Sequence, residues 1–137
     1  MPNTSLRRSE TRTISIRAAP SDVFDLLSDA SAFPRWAPAF APAIRPDGDH
    51  WIVERDGSET RIAVRASRVY GTVDIVRAEE PRSGAFTRVL PNGEGSELLF
   101  TLFFPAGTDE EAVVAQMTTV EHELEAVRSL CEASPRG

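Results

Sequence analysis

A chain of 137 residues, 41% of them apolar and 26% charged, has the length and composition of one globular domain and can bury a core of its own. Its net charge of −6 repels phosphate backbones, which excludes nucleic acid as a default partner. All 15 basic residues are arginine, which removes lysine Schiff-base chemistry and a phosphate-loop lysine. The single cysteine, Cys131, cannot form an internal disulfide, and His50 and His122 sit in no ligand-spaced motif, so neither a metal nor another cofactor is expected.

Met1 to Arg12 is polar and arginine-bearing and lacks the apolar stretch of a signal peptide. No run of about 18 apolar residues exists, so no membrane span is expected and the default address is cytoplasmic. Residues 1–10 and 133–137 read as flexible tails around one domain over 11–132.

The first element is a half-buried strand over Thr11–Ala18, with Ile14, Ile16 and Ala18 on one face and Thr13, Ser15 and Arg17 on the other. Pro20 suits the first turn of a helix that runs to about Leu27. Pro34 and Pro38 limit a second helix to a turn or two, and Phe33, Trp36 and Phe40 make that segment densely aromatic. From Ala43 to Pro105 strands alternate with short turns, among them Asp56-Gly57 and Pro91–Gly95. Trp51 pairs in phase with Val53, Ile62 with Val64 and Ala66, Val73 with Ile75, and Phe86 with Arg88 and Leu90. Glu97–Phe104 is apolar on both faces, which predicts a well-covered strand. Thr108 and Glu111 are spaced as a capping box for a long last helix, where Val113, Met117, Val120, Leu124, Val127 and Cys131 form one apolar stripe. Short turns make the sheet antiparallel, and a single helix is too narrow to fill its concave face, which predicts a cavity between them.

Ile14–Ala30, with Ile14-Ser-Ile-Arg-Ala-Ala-Pro-Ser-Asp-Val-Phe at its start, is followed by Phe33-Pro-Arg-Trp36. Gly71-Thr-Val-Asp74, Arg88–Gly95 and Phe100-Thr-Leu-Phe103 come in order after them. In these segments the chain resembles the START-like (SRPBCC) superfamily, nearest to its polyketide cyclase/dehydrase and lipid-transport branch, over about residues 11–132. The resemblance implies an α+β helix-grip fold: a curved seven-stranded antiparallel sheet wrapped around a long C-terminal helix, with two short helices after the first strand. It also implies an internal hydrophobic pocket, but no catalytic motif that transfers residue by residue.

The expected cavity lining is Trp36, Phe40, Trp51, Val64, Phe86, Arg88, Phe100, Met117, Val120 and Leu124. If Phe86 and Leu90 face inward, Arg88 carries a guanidinium into the pocket for an anionic ligand group; if that face is reversed, it lies outside. Tyr70 is a second polar candidate, its phase beside Gly71 open. Phe33, Trp36 and Phe40 read either as a lid or as a plug of the core. His50, His122 and the acids Glu121, Glu123 and Glu125 read as solvated. The expected function is binding of a small hydrophobic or aromatic molecule by a monomer or weak homodimer. The alternative is a polyketide aromatase/cyclase or dehydratase using Arg88 and Tyr70. An interaction module, which resembles chaperone-activator members, needs an apolar outer sheet face, and Glu54, Arg61, Arg65 and Asp74 there argue against it.

Overall fold

The computed structural model describes residues 6–133. Strand β1 (Arg8–Ile16) leads into helix α1 (Pro20–Ser28), a 3-10 turn (Ala30–Ala32) and the one-turn helix α2 (Phe33–Trp36). Six strands follow: β2 (Ala43–Asp47), β3 (His50–Arg55), β4 (Ser58–Ser67), β5 (Thr72–Arg77), β6 (Glu80–Asn92) and β7 (Gly95–Phe104). Helix α3 (Glu110–Ala133) closes the chain. The strands form one antiparallel seven-stranded sheet in the order β1-β7-β6-β5-β4-β3-β2, so this is the expected helix-grip arrangement.

Pro20 opens α1, where its missing N–H leaves no bond unmade. Asp29 caps the 3-10 turn by accepting from the Ser31 backbone N–H at 3.1 Å. The capping box at α3 is not formed as expected: the Thr108 hydroxyl donates to the Pro105 carbonyl at 2.6 Å, and the helix begins two residues later. The partner taken instead is a carbonyl of the preceding loop.

The strand also starts earlier than expected, at Arg8 rather than Thr11. Arg8, Glu10 and Arg12 occupy inward positions of β1 normally taken by apolar residues, and charge pairing takes their place. Arg8 reaches Glu110 at 2.6 Å, and Arg12 reaches Glu121 at 3.1 Å and Glu10 at 3.2 Å. The Arg8 and Arg12 bonds hold the Glu10 carboxyl below its usual range. At the other end Glu132 accepts from the Arg17 backbone N–H at 2.8 Å. Polar bonds thus fasten α3 along the β1 edge of the sheet. Of the expected tails, residues 1–5 and 134–137 lie outside the described residues, while Ala133 is helical.

The core lies between α1, α2, α3 and the inner sheet face. Val23, Leu27, Phe33, Val73, Leu98, Val120 and Val127 are fully buried there. Each such side chain contributes about 1.5–3 kcal/mol relative to exposure.

Candidate functional site

Because α3 runs along β1, it leaves the other half of the concave sheet uncovered. A cavity of about 590 Å³ occupies that space. Its floor is built from inward residues of four strands: Val53 of β3, Thr60 and Ile62 of β4, Ile75 of β5, and Ala85 of β6. Phe100, Leu102 and Phe104 of β7 form one wall; Trp36 and Phe40, with Ala37, form another. Gln116, Val120 and Glu123 descend from α3. At the rim stand Arg55, Asp56, Ser58, Arg77 and Ser83.

The rim owes its shape to an irregularity in β5 and β6. The pairing register shifts between Val76 and Arg77, and a bulge of this kind bends and twists a strand. Opposite it, Gly84 has φ +157°, and a Cβ there would collide with the Ile75 carbonyl oxygen. Only glycine lets the two backbones approach so closely.

Of the expected lining, Trp36, Phe40, Phe100 and Val120 border this space. Trp51 and Val64 share the inner face but do not border it, and pack beside the core instead. Met117 and Leu124 are 1% and 2% exposed and belong to the close-packed core, not the cavity.

Phe86 and Arg88 lie on the opposite face. In β6 the inward residues are Ala85, Thr87 and Val89, which oppose the inward Leu102, Phe100 and Leu98 of β7. The bulky side chains of β7 leave room only for small partners, and the one polar group among them, the Thr87 hydroxyl, donates to the Val73 carbonyl at 2.8 Å. Phe86 instead meets Phe103 edge-on at 5.8 Å on the outer face, with Arg7 over the Phe103 ring at 4.7 Å. The outer face is therefore part aromatic, not uniformly charged. Tyr70 is 70% exposed in the β4–β5 turn and gives the cavity no phenol. Phe33 is fully buried and stacks edge-on against Trp36 at 5.6 Å, so this aromatic segment forms cavity wall and core together.

The residue that sequence reasoning misplaced is Glu123. It is 7% exposed, lines the cavity, and makes no hydrogen bond or ion pair among the described residues. Burial pushes its carboxyl up to about 7. The spacing held the signal: Gln116, Val120 and Glu123 are three and four residues apart, on the flank of the apolar stripe. His50 is also half-buried, its Nδ1 without a partner, whereas His122 is exposed. Trp36 Nε1 is buried without an acceptor. Cys131 is buried, and burial first, then Asp22 and Glu132, push its thiol up to about 11.

A second hollow of about 780 Å³, between Ser15, Arg17, Asn92, Glu94, Arg128 and Glu132, has Ile16 as its one bulky apolar contact and offers no apolar wall. Among the described residues no cluster of His, Cys, Asp and Glu has the makings of a metal site, and no helix is long and apolar enough to cross a membrane.

No protein-family model matches the chain, and no curated protein matches it. Solved structures do. XoxI from Bacillus cereus superposes with a TM-score of 0.70 at 17% identity, covering 90% of this chain and 94% of that one. The Aha1 dimer from Colwellia psychrerythraea gives 0.70 at 13% identity, covering 92% and 97%. A START superfamily protein from Mycobacterium smegmatis gives 0.64 at 16% identity, covering 90% and 97%. The chain shares its fold with these structures, a START superfamily protein among them.

Proposed function

We propose that this protein binds a small hydrophobic or aromatic molecule in the cavity between the sheet and α3, as a carrier or sensor. The observation behind this reading is the cavity itself: about 590 Å³ of space, apolar in its depth and polar at its rim. That volume lies within the range of small-molecule sites, and the polar rim leaves an apolar body buried with one end in water. Rim cations Arg55 and Arg77 replace Arg88 as the groups available to a polar ligand end; Arg77 makes no ion pair among the described residues. We place the protein in the cytoplasm as a monomer or weak homodimer.

Native mass spectrometry and thermal-shift screening with aromatic polyketides, fatty acids and sterols test the reading. A ligand at 100 times its Kd stabilises the folded state by about 2.7 kcal/mol. Failure of every compound of about ten or more heavy atoms to bind or stabilise refutes it.

One observation favours an aromatase, cyclase or dehydratase as a second reading: an unpartnered carboxyl, Glu123, stands in the cavity with its proton affinity tuned near neutrality. Absence of turnover of a poly-β-ketone by wild type removes it, and turnover that survives in Glu123→Gln removes Glu123 as the acid or base.

A further inference from the structure

The cavity has a polarity gradient along α3. Gln116 is exposed at the outer end, Val120 is buried below it, and Glu123 is buried at the inner end. Seven residues of helix separate Gln116 from Glu123, a rise of roughly 10 Å. Glu123 is thus an ionisable group at the bottom of an apolar space, with nothing in the described chain to bond it. Left unsatisfied, such a group costs free energy, and a ligand that satisfies it recovers that cost.

The charged groups around it decide its partner. From the sheet, Arg55, Asp56 and Arg77 stand at the rim, not beside the carboxyl. On β1, Arg12 is engaged by Glu10 and Glu121. The neighbouring wall from α2, which packs against α3, holds Trp36, whose indole N–H also lacks an acceptor. No cation faces Glu123, and its upward shift comes from burial alone, so the carboxyl carries its proton below neutral pH. The site is then rich in donors: the Glu123 O–H and the rim guanidinium groups. A cationic ligand meets two arginines at the entrance, and an anionic group at the inner end is desolvated with no cation there to pair it.

We propose that Glu123 is the polar anchor of the cavity and selects neutral apolar molecules that carry a carbonyl oxygen, which its carboxyl O–H binds at the inner end. This rests on the cavity being a ligand site and names the class it takes. Ionisation of Glu123 removes the donor and turns a lone pair toward the ligand oxygen, so affinity falls as pH rises through neutrality.

Fluorene and 9-fluorenone share one skeleton, differ in a carbonyl, and do not ionise. Equilibrium dialysis of both against wild type, Glu123→Gln and Glu123→Leu, at pH 5.5 and 8.5, reads the proposal, with circular dichroism confirming that each variant is folded. At pH 5.5 the fluorenone-to-fluorene affinity ratio of wild type exceeds that of Glu123→Leu by about tenfold, one hydrogen bond's worth. Glu123→Gln, which keeps an N–H donor, retains the ratio within about threefold. From pH 5.5 to 8.5 fluorenone affinity falls about eightfold in wild type, as a group that titrates near 7 loses its proton and with it a hydrogen bond worth about tenfold, and stays level in Glu123→Gln. Equal ratios in wild type and Glu123→Leu, or the same pH profile in wild type and Glu123→Gln, overturn the proposal while leaving the cavity a ligand site. Binding of neither probe to any of the three proteins overturns both.

Discussion

Replacing Glu123 with glutamine isolates the energetic weight of one buried carboxyl. In the folded chain the group titrates near 7; its usual value is 4.5. Each tenfold change in proton affinity is worth about 1.4 kcal/mol, so holding Glu123 ionised in the fold costs about 3 kcal/mol relative to the unfolded chain. Because one side of the carboxyl looks into a cavity that admits water, about 2–3 kcal/mol is the expected range. The sign follows from proton binding. Below pH 4.5 the group is protonated in both states and contributes nothing to the pH dependence. Between 4.5 and about 7 the folded state holds more proton than the unfolded one, so stability falls as pH rises; above 7 the full penalty is present. Glu10, Glu97 and Glu110, held low by their hydrogen bonds, change stability in the opposite direction, but they are common to both proteins and cancel in the comparison. Urea unfolding of wild type and Glu123→Gln at pH 4.5, 5.5, 6.5, 7.5 and 8.5 should show the variant gaining about 2–3 kcal/mol on wild type across the series, levelling off above pH 7.5. The corresponding widening in Tm is roughly 6–12 °C. Parallel pH curves refute the reasoning, since they mean that the carboxyl ionises as freely in the fold as in the unfolded chain.

The other predictions separate cavity from core. Ala85→Phe, at a partly buried position on the inner face of β6 that borders the cavity, fills that space, so it should abolish binding of any ligand that stabilises wild type while costing no more than about 1.5 kcal/mol in urea unfolding. Met117→Trp, at a position 1% exposed with no cavity beside it, should cost about 1–3 kcal/mol or more by overpacking. Arg88→Met and Tyr70→Phe, both outside the cavity, should leave ligand affinity unchanged in the same dialysis measurement. Gly84→Ala forces a methyl group against the Ile75 carbonyl and should destabilise by about 2 kcal/mol or more, read as a lower urea midpoint at unchanged slope.

The architecture was legible because several local signals agreed. Alternation in β1, Pro20 at the start of α1, the Asp56-Gly57 turn and the stripe on α3 each point to an element that the fold contains. The inward faces of β4 and β5 were legible because charge fixes the phase: Arg61 and Arg65 alternate with Ile62, Val64 and Ala66, and Asp74 lies between Val73 and Ile75. In β6 no charge opposes an apolar set in that way. Large side chains at Phe86 and Leu90 alternate with smaller ones at Ala85, Thr87 and Val89, and side-chain size suggests the wrong face. The phase is set across the ladder by β7, whose large inward residues need small neighbours, and that information is not local. Glu123 was hidden for a related reason. It sits between Glu121 and Glu125 in a run that looks like a solvated helix face, and only the gap between α3 and the sheet makes its position an interior one. Arg8 shows the converse: a charge that reads as part of a loose tail is paired from another element, by Glu110 of α3.

The fastening of α3 bears on how the molecule meets ligands of different girth. Each inner strand is tied to two neighbours by backbone hydrogen bonds along its whole length, so the sheet is the stiff half of the grip. The helix has its polar bonds to the sheet along the β1 edge alone, through the side chains of Arg8 and Arg12 and the backbone of Arg17, and is otherwise held by apolar packing against α1, α2 and the core beside the cavity. A wider guest is therefore accommodated most cheaply by α3 rolling outward about the β1 edge, as a door turns on its jamb, a movement that breaks no rung of the sheet. Length is different: it is bounded by Trp36 and the inner strands, so the fold is permissive in breadth and strict in depth.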